Sequence, residues 1–325
     1  MNKEESIKIL KEDFHKYKLL VPLLEIHDTP KQLFFKAKNE DILNNFLNKT
    51  WENNEYKILT IVGSRKNSGY SKDVLKFLLK NLIGEKIVIV SGLALGIDSL
   101  AHKNAMENNF PTISIPGSGL NKNVLYPSAN ISLSQEILDS ENILISEYED
   151  DRKSELYFFP ARNRIMAAIS DAVLIVEAGE KSGTLITARL AMEYGKNVGV
   201  IPNNIFAEGA KGSNKLIQDG AQIILNENDI LEILKISKDD QGLLSLDFNN
   251  KKHTDKLKNI LDGLSDVEQE ILEKIIQAGS VEKDRLLAEM ENDLEINYTD
   301  SLVALMSLEI KGFIKEELGE IRIVK

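Results

Sequence analysis

Residues 57–97 read KILTIVGSRKNSGYSKDVLKFLLKNLIGEKIVIVSGLALGI. A continuous β-branched run, Ile58–Val62, ends on Gly63-Ser64-Arg65. An amphipathic segment follows over 72–83, with Val74, Leu75, Phe77, Leu78 and Leu82 apolar, and a second run, Ile87–Val90, ends on Ser91-Gly92. Runs that are apolar throughout, rather than alternating, suit parallel strands covered on both faces. The same rhythm predicts further strands at Thr112–Ile115, Ile143–Ile145, Ala172–Val176, Val198–Ile201 and Gln222–Leu225. A βαβα order over 57–236 predicts a doubly wound parallel α/β sheet.

The chain has 325 residues, enough for two or three domains, and its 42% hydrophobic content can build a core. It contains no Cys and 4 His, His15, His27, His102 and His253. Disulfides, thiolate metal sites and a cysteine nucleophile are thereby excluded, and neither a metal site nor a cofactor is expected. The charged start, MNKEESIKILKEDFHKYK, has no apolar core of a signal peptide, and no run approaches a membrane span. A cytoplasmic protein is the expectation. The net charge of −11 argues, taken whole, against a nucleic-acid partner.

Outward from the α/β region, residues 1–56 are mostly helical in pattern and form a short lead-in, with PLLEIHDTPKQLFF as a strand-and-turn entry to the sheet. Residues 237–258 lose the rhythm and read as a linker. In 259–325, Ser265 followed by Glu268 forms a capping-box pattern. Helical patterns come next around 281–291 and 299–310, and the tail alternates around Leu318-Gly319 like a hairpin. Three helices and a terminal hairpin describe a winged-helix module.

The turns at the strand ends carry the chemistry. Gly63-Ser64-Arg65, Ser91-Gly92, Pro116-Gly117-Ser118-Gly119, Ser146-Glu147 and Glu177-Ala178-Gly179-Glu180-Lys181-Ser182-Gly183-Thr184 each close a predicted strand. In a parallel sheet these turns gather at the carboxyl edge, where open α/β sheets bind ligands. Glycines admit backbone N–H groups to an anion, and helix N-termini add partial positive charge. No turn fits GxxxxGK[ST] or a complete dinucleotide fingerprint. The convergence, with a Lys or Arg in two of the turns, points to a phosphate-bearing ligand.

A second constellation is Tyr157-Phe158-Phe159-Pro160-Ala161-Arg162-Asn163-Arg164, with the proline marking a helix start. Cations in a first turn oppose the helix dipole, so Arg162 and Arg164 call for anionic partners. Two residues apart, they cannot share a helix face. Either one anchors Glu147 or Glu177 while the other reaches phosphate, or both form ion pairs and the phenylalanines are core. Aromatics beside a basic turn suit the stacking and backbone contacts of single-stranded nucleic acid. Asp98 and His102, four apart on one helix, read as a capping and packing pair, since no nucleophile elbow accompanies them. Glu177 is the one carboxylate placed for catalysis, or else an acid that fixes an arginine.

Seven motifs, in order, resemble the DNA-processing protein A family (DprA, also called Smf). They are Thr60–Arg65 (TIVGSR), Ser91–Ala105 (SGLALGIDSLAHKNA), Tyr126-Pro127 with Asn130, Ser146-Glu147, Phe159–Ser170 (FPARNRIMAAIS), Glu177–Ala188 (EAGEKSGTLITA) and Gly212–Ala221 (GSNKLIQDGA). The resemblance implies an extended Rossmann-like domain that binds single-stranded DNA, dimerises, and loads a RecA-type recombinase during natural transformation, without catalytic turnover. It implies a strand pocket of Gly63, Ser64, Arg65, Phe159, Arg162 and Arg164. Lys181 and Ser182 join as phosphate contacts by their place in the loop. Two departures stand out. Only about 20 residues precede PLLEIHDTP, so a helix–hairpin–helix domain is expected to be reduced or absent, and Asn203 stands where the family has glycine. The alternative is a nucleotide-hydrolysing enzyme of the lonely-guy phosphoribohydrolase type. Its PGGxGT loop departs from AGEKSGT here, which favours binding.

The charge is unevenly spread. Residues 260–325 hold 16 Asp+Glu against 7 Lys+Arg, net −9, and the rest of the chain is near neutral at −2. An acidic winged helix is a poor DNA reader and suits a protein contact or a screen over the basic pocket. The objection raised by net charge applies to the tail.

Overall fold

The computed structural model describes residues 6–51, 54–236 and 264–323, apart from 279, 295, 312 and 318; the expected linker at 237–258 lies outside the described residues. The chain divides near residue 237 into two compact units.

The first unit is built on strands β1 (Ile7–Leu10), β2 (Gln32–Lys36), β5 (Lys57–Val62), β6 (Ile87–Ser91), β7 (Thr112–Ser114), β8 (Ile143–Ser146), β9 (Ala172–Ile175), β10 (Asn197–Val200) and β11 (Gln222–Ile223). Two short strands, β3 (Thr50–Trp51) and β4 (Asn54–Glu55), pair only with each other. The nine-stranded sheet runs β1-β2-β8-β7-β6-β5-β9-β10-β11. The seven strands from β8 to β11 are parallel, with β2 and β1 added antiparallel at one edge. From β5 the chain winds outward through β6, β7 and β8, then returns to β9 on the other side of β5, in register Leu59↔Ala172 to Val62↔Ile175. The order therefore reverses between β5 and β9, and a crevice opens at their carboxyl ends.

The crossovers are α2 (Gly69–Asn81), α3 (Ile97–Glu107), α4 (Ile131–Asp139), α5 (Phe158–Ile169), α6 (Thr184–Glu193) and α7 (Lys211–Gln218), with α1 (Glu40–Asn48) before them and α8 (Glu227–Ile233) after. Successive residues of a strand face opposite sides of the sheet. Ile58 and Val62 join Val173 and Ile175 in the core under α5 and α6. Leu59 and Ile61 join Leu174 and Val176 in the core under α2 and α3. This two-sided burial is why the runs are apolar throughout. Thr60 is the exception on the α5 face, where its hydroxyl bonds Ser170 Oγ at 2.5 Å, tying the end of α5 to β5.

The lead-in is less helical than its pattern predicts. Apart from α1 it holds two 3₁₀ turns, Lys11–Lys16 and Val21–Leu24, and strands β1 and β2, which extend the sheet. Its charged residues disguised β1, an edge strand with Ile9 alone buried, whereas β2, whose three central residues are buried, is the strand expected in PLLEIHDTPKQLFF. Among the described residues, no helix is long and apolar enough to cross a membrane.

The second unit contains α9 (Asp266–Ala278), β12 (Ser280–Glu282), α10 (Lys283–Leu294), α11 (Tyr298–Ile310), β13 (Ile314–Glu317) and β14 (Glu320–Ile323). The strands form an antiparallel sheet in the order β12-β14-β13 around a core that includes Ile271, Ile275, Leu286, Met290, Leu308 and Ile321. The hairpin is present, and β12 is an element the sequence pattern did not show. The capping box at α9 forms: Ser265 N donates to Glu268 Oε2 at 2.7 Å, and Glu268 N donates to Ser265 Oγ at 3.3 Å. Lys311 Nζ at the end of α11 also reaches Glu268, at 2.7 Å.

Burial opposes ionisation of Glu268, but the bonds from Lys311, Ser307 and Ser265 outweigh it and hold its pKa at about 2, below the ordinary 4.5. A depressed carboxylate stabilises fully above its unfolded value and loses that contribution as pH falls towards its folded one. Stability of the second unit should therefore decline between about pH 5 and pH 2, and Glu268→Gln should flatten the decline; thermal melts across that window check it.

Candidate functional site

A cleft of about 780 Å³ opens at the carboxyl ends of β5 and β9, lined by the loop after β5, the loop after β9 and the start of α5. The β5 loop is seated on α3: Ile97 N donates to Ser64 O at 3.1 Å. Gly96 permits this, since its φ is +79° and a Cβ there would overlap the Ser64 carbonyl. Ser64 Oγ accepts Lys66 N at 3.1 Å, closing the turn. In the β9 loop, Ser182 Oγ accepts Thr184 N at 3.2 Å, giving the first backbone N–H of α6 a partner.

Seven of the eight residues singled out in the sequence border this cleft: Gly63, Ser64, Arg65, Phe159, Arg162, Lys181 and Ser182. Arg65, Lys66 and Lys181 are exposed, and none has an ion-pair partner among the described residues. The Arg65 guanidinium lies 5.5 Å from the centroid of the Phe159 ring, and Tyr126 packs against the same ring at 5.3 Å. Phe158, the preceding residue, is core: it is 2% exposed and stacks on Tyr148 with centroids 3.6 Å apart.

Arg162 sits at the inner wall, 6% exposed. Its Nη1 donates to Gly92 O at 2.5 Å and to Ile115 O, and its Nε to Asn163 Oδ1 at 3.2 Å. A Cβ on residue 92 would overlap the guanidinium. Asp98 completes the arrangement by accepting Gly92 N at 3.1 Å and Ala94 N at 3.3 Å. Burial lowers the Arg162 pKa to about 10 against the pull of Asp98, and burial raises that of Asp98 against the pull of Arg162. Both are interior charges held by the same backbone turn.

Arg164 does not border the cleft. It lies on the other flank of α5, where Nε donates to Asp28 Oδ2 at 2.9 Å and Nη2 to Glu147 Oε1 at 2.7 Å. Although burial acts to lower its pKa, these bonds raise it. The i,i+2 spacing thus separated the two arginines, with Arg164 anchoring Glu147. Neither takes Glu177, whose Oε2 instead accepts from Ser68 and Ser71. Asp98 and His102 do not bond each other either. His102 Nδ1 pairs with Thr112 Oγ1 at 2.8 Å, and burial pushes its pKa down to about 3.

The cleft also includes Tyr126, Asn163, Thr184 and Thr187, which lie within the sequence motifs but were not expected in the pocket, and Lys66, which follows the first of those motifs. Lys66 and Thr184 lie in the same strand-end loops as Arg65 and Ser182, so their place in those loops is the signal that marks them. Tyr126 comes from the connection after β7 and reaches the site only through tertiary approach.

The family model of DNA recombination-mediator protein A matches residues 16–235. The chain is 38% identical over 209 residues to the DNA processing protein DprA of Streptococcus pneumoniae, covering 64% of this chain and 68% of that protein. It is 38% identical over 177 residues to protein Smf of Escherichia coli, covering 54% of this chain and 47% of that protein. The match thus spans about half the length of the E. coli relative. Among solved structures, that of DNA processing protein A from S. pneumoniae has a TM-score of 0.61 at 35% identity, covering 70% of this chain and 74% of the other. A DNA processing protein A from Helicobacter pylori, whose structure concerns a single-stranded DNA binding mode, gives 0.56 at 32% identity, covering 66% and 91%.

The buried pair at the inner wall has a measurable consequence. Arg162→Ala leaves Asp98 buried without its compensating cation and should destabilise the first unit by roughly 3–5 kcal/mol. The double variant with Asp98→Asn should recover part of that loss, as read by chemical denaturation.

Proposed function

The chain belongs to the DNA recombination-mediator protein A family, and from that membership we propose that its cleft binds single-stranded DNA. One observation carries the reading. Three cations without carboxylate partners among the described residues, Arg65, Lys66 and Lys181, surround a cleft at the point where strand order reverses, beside the exposed edge of an aromatic cluster. Strand phosphates meet the cations, and bases stack on the Phe159 and Tyr126 side. In this proposal Gly63, Ser64 and Ser182 shape the two loops, Arg162 supplies positive potential from behind, and Arg164 acts only by fixing α5.

The protein is proposed as a mediator without turnover. Of the acids near the cleft, Asp98 accepts two backbone N–H groups and Glu177 accepts from two serines, so neither is set up to act on a glycosidic bond. The phosphoribohydrolase alternative draws no support from that arrangement. Family membership is the basis for proposing a homodimer, delivery of the strand to a RecA-type recombinase, and a cytoplasmic setting in natural transformation. We further propose that 259–325 is a winged helix whose excess of acids keeps it off DNA.

A fluorescence-anisotropy titration with labelled oligo-dT and with duplex, across a salt series, tests the binding. Strand binding that weakens with salt is expected; its absence overturns the reading, and base released from nucleoside monophosphates would favour the hydrolase. Arg65→Ala should lower strand affinity and reduce the slope of log K against log salt by about 0.7, the value for one phosphate. Removing 260–325 should leave affinity unchanged or raised, and a marked loss would show that the tail does contribute to DNA binding.

A further inference from the structure

Glu177 lies just beyond β9 and is 3% exposed, yet among the described residues it forms no hydrogen bond or ion pair with an arginine. A single oxygen, Oε2, accepts Ser68 N at 3.0 Å, Ser68 Oγ at 2.6 Å and Ser71 Oγ at 2.5 Å. Ser68 is the N-cap of α2 and Ser71 lies in its first turn, so the carboxylate sits at the positive end of that helix. Its other oxygen lies 2.8 Å from where a Cβ on Gly209 would be, which brings the segment after β10 against the same group. The backbone beside it is fixed too: Val176 N donates to Val62 O at 3.1 Å, and Ser213 N to Ala178 O at 2.9 Å. Thus one buried carboxylate joins the far end of the loop carrying Arg65 and Lys66 to the loop carrying Lys181.

We propose that Glu177 is a positioning residue of the cleft, whose carboxylate sets the spacing between the cations of the β5 loop and Lys181. The proposal rests on the strand-binding reading above. Phosphates along a strand are regularly spaced, so the affinity of a cation set depends on the cations being held at a matching spacing. The charged Oε2 draws all three donors, whereas a glutamine that turns its amide oxygen to them accepts without the charge, so each bond is weaker, and its NH2 takes the place of the oxygen facing Gly209.

The test uses the full chain carrying Glu177→Gln and, separately, Ser71→Ala, whose side chain is buried and does not line the cleft. Two readouts are compared with the unaltered chain: amide hydrogen exchange over 63–71, and labelled oligo-dT affinity across a salt series. Both variants should exchange faster in that loop and bind the strand less tightly, by roughly tenfold for Glu177→Gln, the size expected when bonds to a charged acceptor are removed. The salt slope should fall by about 0.7 for each phosphate that is no longer neutralised, which a merely structural defect would not produce in a chain that melts normally. Native exchange, or faster exchange with unchanged affinity and slope, overturns the proposal. If Glu177→Gln does not fold, Ser71→Ala decides by the same two measurements. An unaltered chain that shows no salt-dependent strand binding overturns the function itself, whereas one that binds beside two indifferent variants overturns only the role of Glu177.

Discussion

A guanidinium removed from water organises the first unit. Arg162 is bonded to the carbonyls of Gly92 and Ile115, at the ends of β6 and β7, while the amide of Gly92 bonds the buried carboxylate of Asp98. One peptide turn thus holds a cation by its oxygen and an anion by its nitrogen. Desolvating such charges costs several kcal/mol each unless every bond is made, which leaves little freedom in the placement of α5 and α3. A side chain on residue 92 would displace the guanidinium. The other end of α5 is fixed by Ser170 against Thr60, so the helix is pinned at both ends and Phe159 is delivered to the cleft.

That arrangement separates charges by depth. Interior charges are each given partners: Arg162 carbonyls, Arg164 two carboxylates, Asp98 amides and Glu177 serines. Cations at the rim, Arg65, Lys66 and Lys181, have no ion-pair partner among the described residues. Screening confines their field to about 10 Å at moderate salt, so the unpaired rim governs the approach of a ligand more than the charge of the whole chain does. The same distinction explains why a net charge of −11 is compatible with the proposed strand-binding face. Most of the excess acid belongs to residues 260–325, and the charge near the cleft is of the opposite sign.

The strands of the α/β region were legible because each is buried on both faces, and the observed limits fall within two residues of the expected ones. Strand β1 was not, because an edge strand with one buried residue carries no signal above its charged neighbours. Gathering of the strand-end turns was equally legible, since parallel strands must present those turns together. The Arg164–Glu147 pair was one of the two anchors expected, but the partners of Arg162 and Glu177 were not legible: backbone carbonyls and serine hydroxyls took the place of the oppositely charged groups expected there. Local sequence does not reveal which distant backbone groups will be left in need of a partner.

By itself, then, the sequence determined the parallel strands, the carboxyl edge where their turns gather, the two loops and the helix start that border the cleft, and the acidity of the tail. These come from local periodicity, from the geometry of parallel strands and from composition. Tertiary structure alone decided which charges are buried and which are free. Arg65 and Arg162 look alike in the sequence, each a basic residue in a turn beside the sheet. Folding placed one over an aromatic ring in water and drove the other into a nest of carbonyls, because only the packed chain determines where unpaired backbone oxygens lie.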